Sequence, residues 1–179
     1  SPFMRSNNIK MGRDALHELL TVNGLILSKK RKYISTTNSR HWLRKYPNLI
    51  LEFEATAPQQ LWVSDITYIS LLNGFSYLSL ITDAYSRKIV GYCLYPTLES
   101  QGCVNALHLE NKNISISMTE NGSPYENALA ERVNGILKSE FGLDALFGNH
   151  NDAKEEVTKA RSMYNLKRPH GSCDYLTPE

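Results

Sequence analysis

Between Leu61 and Leu94 the chain alternates apolar and polar positions in short runs separated by turn residues, the pattern of a strand meander. Leu61-Trp62-Val63-Ser64-Asp65-Ile66-Thr67-Tyr68-Ile69 is rich in β-branched and aromatic residues and predicts the first strand. Asn73-Gly74-Phe75 predicts a hairpin turn, Tyr77 to Thr82 a second strand and Lys88 to Leu94 a third, all antiparallel. The period then changes. Leu98 to Leu109 reads as a helix that runs through Glu110-Asn111-Lys112-Asn113 into a strand, Ile114 to Met118.

Asn121 to Glu140 predicts a capped helix. Ser123 is a good N-cap, Pro124 suits the first turn, and Glu126 completes a capping box, so the helix is expected to start at Ser123. At about 100° per residue, Asn127, Glu131, Asn134 and Lys138 share one stripe, with Leu129, Val133 and Ile136 opposite. Glu131 is therefore expected to point away from the core. Near the front, Arg13 to Thr21 carries Ala15, Leu16, Leu19 and Leu20 and is stopped by Asn23-Gly24, which predicts a helix. Ala55 to Gln60 reads as a joint between a helical module, residues 1–57, and an α/β core, residues 58–179. Ser1-Pro2-Phe3 ahead of Met4 reads as a remnant of recombinant expression.

Asp65 is the residue that asks for chemistry. Aspartate is disfavoured inside strands, and a carboxylate held there needs a cation, a hydrogen-bond network or a metal. Capping a neighbouring turn is the bland alternative. Glu131 and Lys138 alone are equally compatible with an ordinary solvated helix face.

Charge divides the chain. Residues 1–57 hold ten Lys and Arg against four Asp and Glu, whereas residues 58–179 hold ten against fourteen. The run Lys29-Lys30-Arg31-Lys32, followed by Arg40, Arg44 and Lys45, could track a phosphate backbone, or could be a solvated basic loop. Cys93, Cys103 and Cys173 show no metal-type spacing, and the five histidines are scattered, so neither a zinc site nor a disulfide framework is expected. No apolar run is long enough to span a membrane, and the expectation is a cytoplasmic protein with reduced thiols.

WVSDITYI (62–69), ITDAYSRKIVGY (81–92), SMTENGSPYENALAERVNGILKSEF (117–141) and YNLKRPHGSCDYLTP (164–178), in that order, resemble the catalytic core of DDE transposases of bacterial insertion sequences, in the retroviral-integrase superfamily. The resemblance covers most of residues 58–179. It implies an RNase H-like mixed sheet flanked by helices, and a transposase that cleaves element ends and joins the freed 3′-hydroxyls to target DNA. It also implies a homo-oligomer working on terminal repeats in the bacterial nucleoid. The family's two aspartates and one glutamate hold Mg²⁺ or Mn²⁺. By position Asp65 matches the first aspartate and Glu131 the glutamate, and Lys138 resembles a lysine that touches DNA beside the cut site. Arg87, Asn127 and Arg132 also match family positions, the last two as candidate DNA contacts. His170 falls in a family motif where it could serve to dock the C-terminal helix. The basic segment before the core resembles the family's helical linker and is expected to contact DNA.

One departure is serious. The family's second aspartate stands in a motif of the type His-Ser-Asp-x-Gly-x-x-Tyr, and this sequence has none. Roughly 25 to 30 residues, a strand and a helix, are missing between Leu109 and Ile114 if strands and crossover helices alternate as usual. Glu110 and Asp83 are poor substitutes, the one following a helix and the other ending the second strand. Either the natural protein carries a segment this sequence omits, or this is a truncated, inactive copy that competes for element ends. A simple RNase H-like nuclease is a further alternative.

Overall fold

The computed structural model describes residues 10–26, 47–50, 53–97, 117 and 128–178. Two compact units divide the chain, Ser1–Thr37 and Asn38–Glu179. In the first, helix α1 (Arg13–Val22) forms one residue longer than expected. It stops as its sequence dictates: the Asn23 side chain donates to the Leu19 carbonyl at 2.7 Å, and Gly24 turns the backbone to φ +65°. No α1 residue is buried, and Val22 is 80% exposed.

In the second unit β1 (Trp62–Leu71), β2 (Gly74–Asp83) and β3 (Ile89–Tyr95) form the expected antiparallel meander, in the order β1-β2-β3. The first hairpin lies one residue earlier than predicted. Leu72 and Asn73 make the turn, while Gly74 and Phe75 already pair with Leu71 and Ser70. The positive φ falls on Gly74, at +115°, on the first residue of β2, where a side chain would be strained. The second hairpin is built on Asp83. Its Oδ1 accepts from the Tyr85 and Ser86 amides at 3.1 and 2.8 Å and from Ser86 Oγ at 3.0 Å, and its Oδ2 accepts from the Gln59 amide at 2.5 Å. Burial pushes the Asp83 pKa up, but these hydrogen bonds outweigh it and hold the carboxyl below its ordinary value. Asp83 is thus a turn cap with both oxygens occupied, in keeping with its dismissal as a catalytic substitute.

Residues directly opposite in an antiparallel ladder share a face. Asp65 opposes Leu80 and Thr67 opposes Leu78, so Asp65, Thr67 and Ile69 stand on one face with those leucines. Two helices cover that face, α2 (Ala128–Glu140) and α3 (His150–Lys167). The core gathers Ile69, Leu78, Leu80, Ile89 and Leu94 from the sheet with Val133, Leu137, Val157, Ala160 and Tyr164 from the helices. From Leu78 to Asp83 every residue of β2 is buried, as a central strand covered on both faces requires. Asn149 caps α3, its Oδ1 accepting from the amides of Asn151 and Asp152 at 2.8 and 3.1 Å.

The buried face of α2 corrects the helical-wheel expectation. Ala130, Val133, Asn134 and Leu137 are the buried positions, whereas Leu129 and Ile136 are only half-buried. Asn134, expected on the polar stripe away from the core, lies inside because it has a hydrogen-bond partner there. Glu131 is exposed, as expected. The Ser123 cap, Asn127, the helix from Leu98 to Leu109, its connection to Ile114, and the basic residues Lys29, Lys30, Arg31, Lys32, Arg40, Arg44 and Lys45 lie outside the described residues, as does the strand Ile114 to Met118 apart from Ser117.

Candidate active site

Asp65 is half-buried on β1, on the face that α2 covers. Its Oδ2 accepts from Asn134 Nδ2 at 2.8 Å across 69 residues of sequence. Burial raises the Asp65 pKa above its ordinary value, opposed by the Ile66 backbone amide, the Asn134 amide and the charge of Lys138. Lys138 shifts the other way. Burial lowers its pKa while the Asp65 charge resists, so desolvation outweighs the mutual attraction on both partners. The lysine is also held over an aromatic ring, with Nζ 4.2 Å from the centroid of Tyr68. Tyr68 in turn sits edge-on to Phe75, centroids 5.4 Å apart.

Glu131, Asn134 and Lys138 follow one another at successive turns of α2, and a helix places such residues on one stripe. Asn134 donates to Asp65 and the charge of Lys138 acts on it, while Glu131, one turn before Asn134, is exposed. Arg132 is exposed, and its charge acts on His170. Arg87 adopts φ +66° in the second hairpin and donates from Nε to Ser172 Oγ at 3.2 Å. Among the described residues no three His, Cys, Asp or Glu side chains gather as a metal site.

Sequence reasoning assigned no role to Asn134 or Tyr68. For Asn134 the signal was its place three residues after Glu131 and four before Lys138. For Tyr68 there was none, because its contact with Lys138 joins separate elements.

The closing motif docks helix to helix. Arg168, just past α3, clasps Glu140 at the end of α2, with Nε–Oε2 2.6 Å and Nη2–Oε1 2.7 Å. His170 is 6% exposed, packs edge-on against Tyr164 with centroids 4.8 Å apart, and has Nδ1 3.3 Å from Arg168 Nη1. Burial first, then the Arg168 charge, brings its pKa down to about 4.

Two family profiles, both described as integrase core domain, match this chain, one over residues 55–128 and the other over residues 112–178. A protein of insertion element IS600 from Shigella sonnei, described as an uncharacterized 31 kDa protein, is 30% identical over an alignment spanning 98% of this chain and 76% of that protein. This chain belongs to the DDE transposases of the retroviral-integrase superfamily. It is also 28% identical to the transposase for insertion sequence element IS904 of Lactococcus lactis, over 98% of this chain and 82% of that protein. A putative transposase for IS986/IS6110 of Mycobacterium tuberculosis is 28% identical over 77% of this chain and 63% of its own length. The three-stranded antiparallel sheet with α2 and α3 against it is consistent with the family's α/β, RNase H-like core. The IS600 alignment occupies 207 positions, 28 more than the 179 residues of this chain, so that relative carries at least 28 positions with no counterpart here. The IS904 alignment, at 208 positions, exceeds the chain in the same way.

Proposed function

We propose that this transposase performs divalent-metal-dependent DNA cleavage and strand transfer at the ends of an insertion sequence, with Asp65 and Glu131 as two of its three carboxylate ligands. The observation that supports this reading is the Asn134–Asp65 hydrogen bond, which ties the helix that bears Glu131 to the strand that bears Asp65. The donor set fits Mg²⁺ or Mn²⁺: both candidates offer hard carboxylate oxygens, and burial of Asp65 penalises its charge in a way that a cation relieves. Asp65 and Glu131 would hold such ions, which when bound would supply activation of an attacking hydroxyl and stabilisation of the leaving oxygen. Lys138, whose Nζ lies over the Tyr68 ring, would hold a DNA phosphate near Asp65 in this reading. Asn127 and Arg132, and Lys29, Lys30, Arg31 and Lys32 in a basic module spanning residues 1–57, complete the proposed DNA path in a homo-oligomer acting on nucleoid DNA in the cytoplasm.

The second aspartate belongs, in this reading, to the segment that the relatives have and this sequence lacks, placed between Leu109 and Ile114. The 28 or more unmatched positions support it, being close to the strand and helix that the family's alternation requires. Protein expressed from the natural gene should weigh several kilodaltons more than the 20.3 kDa of this chain. A mass of 20.3 kDa favours the second reading, an inactive copy that competes for element ends, which rests on the absence of a third carboxylate at the site among the described residues. In the complete protein Asp65→Asn or Glu131→Gln should abolish magnesium-dependent joining of labelled element ends while DNA affinity stays within about twofold, because each change removes a metal-binding charge from an accessible site. Undiminished joining by either variant removes that residue from the catalytic set.

A further inference from the structure

Asn134 is a polar residue where α2 packs on the sheet. It is 6% exposed and flanked along its helix by the buried Val133 and Leu137. Packing alone favours an apolar side chain at such a position, because a buried amide must find partners at both ends. Asn134 finds one. Nδ2 donates to Asp65 Oδ2 at 2.8 Å, while Oδ1 is buried with no hydrogen-bond partner among the described residues. The residue is therefore poorly explained as a packing element, and its only satisfied end is spent on a single oxygen of the Asp65 carboxylate.

A carboxylate on a strand can rotate about its χ angles unless a neighbour fixes it. A donor on one oxygen locks the plane of the group and sets which lone pairs remain for a cation. The donor here is neutral and comes from the helix that bears Glu131, so it orients Asp65 without competing for the charge. It also couples the orientation of Asp65 to the seating of α2. We propose that Asn134 is a positioning residue that aims the Asp65 carboxylate at a divalent cation. This rests on the reading of Asp65 as a metal ligand.

Manganese binding to the 179-residue chain, followed through the electron paramagnetic resonance signal of free Mn²⁺, tests the proposal without needing catalysis. Asn134→Leu keeps the branching of the side chain and removes the donor. It should weaken Mn²⁺ binding about tenfold or more, the scale on which partners of metal ligands act. In an Asp65→Ala background the same change should have no further effect, since its route runs through Asp65. Wild-type Mn²⁺ affinity in folded Asn134→Leu overturns the proposal, and so does an equal loss in both backgrounds. Asn134→Ser, a shorter donor, should fall between the two and answers the question if the leucine variant does not fold. If circular dichroism shows both variants unfolded, the amide is a folding contact and the proposal is wrong. A wild-type chain that binds no Mn²⁺, or an Asp65→Ala variant that binds as tightly as wild type, instead removes the metal reading on which the proposal stands.

Discussion

Asn165 offers the sharpest test of how α3 is attached to the sheet. Its side chain is 1% exposed and mimics a strand neighbour: Oδ1 accepts from the Ile89 amide at 3.0 Å, and Nδ2 donates to the Ile89 carbonyl at 3.0 Å. Ile89 is itself fully buried at the start of β3. Asn165→Leu keeps the branching of the side chain and leaves both backbone groups of Ile89 facing a hydrocarbon. Each buried group left without its partner costs about 1 to 3 kcal/mol, and removing the amide's own desolvation returns part of that, so a net loss of roughly 2 to 4 kcal/mol is expected. This is a large share of the 5 to 15 kcal/mol that holds a typical domain. In urea, at a slope of about 2 kcal/mol per molar, the unfolding midpoint should fall by about 1 to 2 M with little change in slope. Asn165→Asp should be worse than its size implies, because it loses the donor and buries a charge. A midpoint within about 0.3 M of wild type for Asn165→Leu would refute the reasoning, showing that water or a relaxed backbone satisfies Ile89 in its place.

His170, with its pKa brought down to about 4 by burial and by Arg168, makes stability depend on pH. Because the folded value lies below the ordinary 6.5, the unfolded chain binds the proton more readily, so the contribution is complete above pH 6.5 and is lost as the pH falls from 6.5 towards about 4. The loss amounts to at most about 3 kcal/mol, and His170→Phe should flatten the stability profile over that window; an unchanged profile sinks the idea. Replacing Lys29, Lys30, Arg31 and Lys32 together with alanine should flatten the slope of log DNA affinity against log salt by up to about four units, and an untouched slope means the run is solvated. Lys138→Ala, and to a lesser degree Tyr68→Leu, should impair strand joining in the complete protein by more than they weaken DNA binding, and normal joining by Lys138→Ala moves the DNA path to another face of α2.

How much of this was legible beforehand depended on the range of the interaction involved. The meander was readable because alternation and turn residues are local, and even its one-residue error at Gly74 is local: the glycine was recognised, but whether it sits in the turn or opens the next strand depends on the ladder. Asp65 was singled out because a carboxylate in a strand violates a local preference, and its parity with Ile69 already implied a position on the covered face. Asn134 was misplaced for the opposite reason. A polar residue on a polar stripe reads as solvated unless its partner is known, and that partner lies 69 residues away on another element. The rotation of the buried face of α2, from Leu129 and Ile136 toward Ala130 and Leu137, is the same fact seen from the apolar side: once Asn134 turns inward to Asp65, the residues one turn before and after it must turn with it. The buried face of α2 thus includes one hydrogen bond to Asp65 that the hydrophobic pattern of the helix does not encode.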